Sequence, residues 1–159
     1  MGNRAMIVME QGEGKTVERG PAIYLQWNGG AESVYAFLKE LDNRKMRTGD
    51  VAYETARMIH VIGDFFDSDN TITTLSLGVM PYNMKTDKQI EKNAHWDLDN
   101  GVYLVNREKG TMRRYDVFTK TWYTEKCVKQ EKNKALKDKK YTAILDDLAN
   151  DRKDKIIED

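Results

Sequence analysis

At Asn28-Gly29-Gly30 the hydrophobic pattern of this chain changes period. Before that point, Ile23–Trp27 (IYLQW) is rich in β-branched and aromatic residues and reads as a strand, with Pro21 just ahead of it. After it, Val34, Phe37, Leu38 and Leu41 fall at i, i+3, i+4 and i+7, the template for one buried helical face. That helix is expected from Ala31 to Lys45, with Glu32, Lys39, Glu40 and Arg44 on its other side. A strand that stops just before a helix starts needs a sharp reversal. Two glycines are expected to supply the positive φ for it. A fold that combines sheet and helix is therefore required.

The remaining segments extend this pattern. Arg4–Met9 (RAMIVM) reads as a first strand, and Gln11–Gly20 as a polar loop. Asp50 is a natural N-cap for a second helix over Val51–Phe66, whose wide apolar face predicts deep burial. Thr71–Val79 reads as a strand and Met80–Asn93 as irregular chain. Asn100-Gly101 between His95–Leu98 and Val102–Asn106 predicts a two-residue hairpin. A further strand is expected over Met112–Phe118.

The last third changes character. Lys126–Lys140 holds seven lysines against Glu131 and Asp138, a local charge of +5. It reads as a loop or as a helix extended into solvent. Tyr141, Ile144, Leu145 and Leu148 have helical spacing. The fold class is α+β: a mainly antiparallel sheet against a helical pair, with a C-terminal helix. Residues 1–125 form the core domain. Residues 126–159 form the lysine-rich segment and final helix, either within that domain or appended to it.

Charge narrows the function. Lys+Arg and Asp+Glu are both 26, so the formal net charge is zero. That disfavours direct nucleic-acid binding and membrane-surface attraction driven by overall charge. No apolar run approaches the roughly 20 residues that span a bilayer, and no secretory signal opens the chain. The single cysteine, Cys127, leaves no internal disulfide framework or multi-cysteine zinc site. Gly14-Lys15-Thr16 lacks the leading glycine of a phosphate-binding loop, because Met9 stands there. His60 with Asp64, His95 with Asp97 and Asp99, and the acidic group Asp64, Asp67 and Asp69 fit no defined ligand spacing. No metal and no cofactor are expected.

Two candidate sites stand out. At the corner Gln26, Trp27, Asn28, Gly29 and Gly30, a tryptophan face and two side-chain amides precede a helix N-terminus, where a nucleotide-like anion would be welcome. Arg113, Arg114, Tyr115, Trp122 and Tyr123, followed by Lys126 and Lys129, mix arginine with aromatics as protein interfaces do. Both groups also read as plain structure: a tight turn around a core tryptophan, and core aromatics beside solvated charges.

Gly2-Asn3-Arg4-Ala5 before a strand, with Tyr24-Leu25-Gln26-Trp27-Asn28-Gly29-Gly30 before a helix, resembles a group of small bacteriophage and prophage proteins. Leu75–Gly78 and Asp99–Tyr103 share the likeness, which covers residues 2–106 in patches. Gln26 stands where that group usually has histidine. The resemblance implies an accessory protein in the cytoplasm of a host bacterium that acts by binding rather than catalysis. Its expected partner is a host protein, such as a CRISPR effector or another defence nuclease complex, which it would inhibit. The alternative is a protein that binds or sequesters a nucleotide at the Trp27–Gly30 corner.

Overall fold

The computed structural model describes residues 2–68, 76–123 and 125–152, apart from the side chains of residues 68 and 125–127. In chain order the strands are β1 (Ala5–Gln11), β2 (Glu18–Arg19), β3 (Ala22–Leu25), β4 (Leu77–Met80), β5 (Val102–Asn106), β6 (Thr111–Asp116) and β7 (Thr121–Trp122). The helices are α1 (Ala31–Asn43), α2 (Val51–Ser68), α3 (Asp87–Asn93), α4 (Glu125–Ala135) and α5 (Lys139–Arg152). The fold is α+β.

The sheet order is β4-β3-β1-β5-β6-β7, with β2 paired to the end of β1. All pairs are antiparallel except β1 with β5, which run parallel with Ile7 opposite Tyr103. These two central strands are covered on both faces, so Ala5–Met9 and Val102–Asn106 are continuously buried. A strand buried on both faces needs an unbroken apolar run, as Ala5–Met9 and Val102–Val105 supply. Ala5, Ile7, Met9, Tyr103 and Val105 point to a layer formed by α1, α2, α4 and α5. Met6, Val8, Val102 and Leu104 point to the opposite face, under Met84, Ile90 and Leu98.

The helical layer is joined by a buried ionic knot. Glu40 of α1 is fully buried and accepts hydrogen bonds from Arg44, at 2.8 Å, and from Arg152 of α5. Arg44 also reaches Asp64 of α2 at 2.7 Å. A buried carboxylate is tolerable only when paired and hydrogen-bonded in this way. Asp50 caps α2 as expected, accepting from the backbone N–H of Ala52 at 3.1 Å.

Several sequence expectations change. The stretch expected to be irregular contains α3, opened by a reciprocal capping box between Thr86 and Gln89. Asp99-Asn100-Gly101 is not the turn of a hairpin. A type I′ turn needs positive φ at both central residues, and only Gly101 has it, at 73°. Instead the N–H of Asn100 donates to the Arg4 carbonyl at 3.0 Å, and Asp99 accepts from the Arg4 backbone and guanidinium. The turn is thus tied to the start of β1, and β5 leaves it parallel to that strand. Hairpin turns in this half of the chain lie at 107–110 and 117–120, so the strand expected to reach Phe118 ends at Asp116. The strand predicted over Thr71–Val79 is β4 from Leu77 onward, while Thr71–Leu75 lie outside the described residues.

The lysine run comprises most of α4, a turn at 136–138 and the start of α5, and its described lysines are exposed while the apolar side of α4 is not. Val128 and Ala135 of α4 enter the core beside Ile144 and Leu148 of α5. Among the described residues, no helix is long and apolar enough to cross a membrane.

Candidate functional site

The corner at Gln26–Gly30 is tightly built, but by different means than expected. The positive φ lies at Asn28, at 58°, and at neither Gly29 nor Gly30. Asparagine tolerates this region better than most residues with a Cβ. Gly29 is required for close approach. A Cβ there would lie 2.5 Å from the Asn3 carbonyl oxygen and 2.7 Å from the Ala5 Cβ. The N–H of Gly29 donates to that same Asn3 oxygen at 2.8 Å, which fixes the corner against β1. Gly30 is the extended N-cap of α1.

The side chains here serve the fold. Gln26 Oε1 accepts from the Tyr24 hydroxyl at 2.7 Å, and Asn28 Nδ2 donates to Ser33 Oγ at 3.4 Å. Trp27 is 37% exposed. The Glu32 carboxylate lies beside Gly30, at the start of α1. It brings negative charge to the place a nucleotide phosphate would need.

The arginine–aromatic group is divided between the two faces of the sheet. Arg113 and Arg114 are neighbours on β6, and successive side chains on a strand point to opposite faces. Arg113 holds Asp87 of α3 at 2.9 and 3.0 Å and lies over the Trp122 ring at 4.6 Å. Tyr115 and Trp122 lie on that side, and the Trp122 indole donates to Glu91 at 2.9 Å. Arg114 faces the helical layer. It donates to the Tyr103 hydroxyl at 3.0 Å, pairs with Glu131 of α4 and lies over the Tyr123 ring at 4.6 Å. Burial pushes the Tyr103 phenol up, so it stays protonated and donates to the Gly29 carbonyl at 2.9 Å. Burial likewise raises the Glu131 carboxyl against the opposing pull of Arg114. These residues do not converge on one surface. Lys129 is exposed on α4, and Lys126 is on the same helix with its side chain outside the described ones.

A cavity of about 290 Å³ lies between α1, the β5–β6 hairpin, α4 and the start of α5. Tyr35, Leu38, Val105, Met112, Val128 and Tyr141 give it an apolar floor, and Leu136 stands at its edge, 41% exposed. Lys39 of α1 and Lys129 and Lys132 of α4 line its exposed rim. Among the described residues, Lys39 and Lys132 have no ion-pair partner. Asp42 also lines the cavity, but Arg107 holds it at 3.0 Å, so the rim is net cationic. Trp27 is not among the lining residues.

Sequence reasoning assigned Lys39 to a solvated helix face and Leu38 to the core. No local signal joins them to Met112, Lys132 and Tyr141, because five elements meet here.

Among the described residues, no group of three or more His, Cys, Asp or Glu is arranged to hold a metal ion. His60 lies 3.4 Å from Asp64, and His95 lies 3.5 Å from Asp97 and stacks on Tyr82. Comparison of the chain with protein-family models, curated protein sequences and solved structures returned no match.

Proposed function

We propose that this chain is a phage or prophage accessory protein of the host cytoplasm that acts by binding and inhibiting a host protein, with a defence nuclease complex as the favoured target. The observation that carries the binding part is the cavity, where an apolar floor sits under lysines from two helices. An apolar centre with a polar, solvent-accessible rim is the usual anatomy of a protein contact. The phage and defence context comes from the resemblance of the Gly2–Ala5 and Tyr24–Gly30 motifs. The contact surface in this reading is the α1–α4 face rather than the divided Arg113–Tyr123 group, and Lys129 lies on it. The nucleotide alternative is the weaker reading, because Glu32 opposes an anion at the corner.

The test is affinity capture from host lysate, with wild type and Lys39→Glu/Lys132→Glu compared side by side. The expected result is one host protein retained by wild type, lost with the double variant, and inhibited when added back in its own assay. Retention of the same proteins by both would place the contact elsewhere. A nucleotide recovered from the wild type with no protein partner would favour sequestration.

A further inference from the structure

We infer that the cavity receives one apolar side chain of an acidic segment of the partner, with carboxylates on either side of that anchor resting on the lysine rim. This rests on the protein-partner reading above and names the chemistry of the contact.

Size is the first argument. Small-molecule pockets usually measure about 300–1,000 Å³, and this one, at about 290 Å³, is at the lower limit. It has room for a single large side chain better than for a whole cofactor. A buried anchor in one pocket is also how protein contacts concentrate their affinity.

Charge is the second argument. Lys39 approaches from α1, while Lys129 and Lys132 are three residues apart on α4 and so share one of its faces. The lysines that line the cavity therefore come from two separate helices, and most of α4 belongs to a segment, 126–140, with a formal charge of +5. Lysines spread along a cavity rim fit a row of carboxylates better than one compact anion.

Donor type is the third argument. A phosphate site is best served by a guanidinium fork or converging backbone N–H groups. Arg107 lines the cavity, but its fork is already spent on Asp42 at 3.0 Å, the Met46 carbonyl at 2.9 Å and Glu54 at 3.4 Å. What remains is the flexible ammonium groups of Lys39 and Lys132, which follow an extended acidic chain well.

The test uses a fluorescently labelled synthetic peptide, a tryptophan flanked on both sides by glutamates, titrated against the full chain. The controls replace the tryptophan by alanine or the glutamates by lysines, and ATP is the competing organic anion. Lys39→Glu/Lys132→Glu and Leu136→Trp, which fills the cavity mouth, are both rim variants and should melt like wild type. Binding of the tryptophan peptide is expected to weaken at least about tenfold with either variant, and to fall as salt rises. The alanine peptide should bind at least about tenfold more weakly, and the lysine peptide not at all.

Equal binding of the alanine peptide, indifference to Leu136→Trp, or displacement by ATP at lower concentration than by unlabelled peptide would each overturn the inference. The two readings fail separately. A lysate partner captured equally by wild type and Leu136→Trp leaves the host-protein reading and removes this site. Peptide binding as described, with no lysine-dependent host partner, does the reverse.

Discussion

At the scale of single residues, the two glycines of the corner have different jobs. A methyl group at Gly29 would meet the Asn3 carbonyl oxygen and the Cβ and backbone nitrogen of Ala5, all within 3 Å, so it must push the start of β1. Gly29→Ala is expected to destabilise by about 1–3 kcal/mol, the range for overpacking a filled interior. Gly30 has φ of −68°, and what a methyl group would meet is the carboxylate of Glu32, the mobile end of a side chain. Gly30→Ala is expected to stay within about 0.5 kcal/mol of wild type. Urea midpoints of the two variants decide this, and equal losses would mean the corner is strained throughout. Asn28→Gly should be tolerated, because its φ of 58° suits glycine better than any residue with a Cβ.

At the scale of elements, the ionic knot decides how α5 is held. Glu40 joins α1 to α5 through Arg152 and braces Arg44 toward α2. Removing it leaves Arg152 without that partner and Arg44 half-satisfied in a dry place. Glu40→Ala is therefore expected to cost about 3–5 kcal/mol. The pH dependence follows from the same contacts. Burial acts to raise the Glu40 carboxyl, but hydrogen bonds from Arg152, Arg44 and Asn43 outweigh it and hold the group below its ordinary range. A depressed acid gives stability that is complete above its unfolded value, about 4.3. That stability is lost as pH falls through the folded value. Chemical denaturation from pH 7 to about pH 3 should show wild type losing more stability than Glu40→Gln. Parallel losses would place the acid sensitivity in other carboxylates.

At the scale of the whole molecule, stability is centred on the pairing of β1 with β5. Residues 6–9 pair with residues 102–105, so the centre of the sheet closes only after most of the chain has been made. Non-local pairing of this kind slows folding. The slowest-exchanging amides are expected in these two strands, because both faces are covered. Hydrogen exchange with faster amides in β1 than in β6 would contradict this. The C-terminal helices belong to the same unit: Val128, Ala135, Ile144 and Leu148 are core residues. A chain ended at Tyr123 should lose cooperative melting. A full chain with Lys132, Lys134 and Lys137 changed to Gln should melt near wild type, since all three are exposed. A thermal scan of both separates a structural helix from a structural lysine run.

The sequence by itself determined those elements whose pattern is local. The i, i+3, i+4 spacing marked α1 and α5, and a wide apolar face behind Asp50 marked α2. Two unbroken apolar runs gave β1 and β5. Even α3 had a readable mark, Thr86 with Gln89, because a capping box is a local signal. Tertiary structure decided the rest. Asn100-Gly101 has the residues of a hairpin turn, but Arg4 claims Asp99 and Asn100, and β5 goes beside β1 instead. Arg113 and Arg114 are adjacent in the chain, yet the pleat sends one to Asp87 and the other to Glu131. The cavity was out of reach of any window of sequence. Its lining comes from residues 35–42, 105–112 and 128–141, and only the packing of helices on the sheet brings them together.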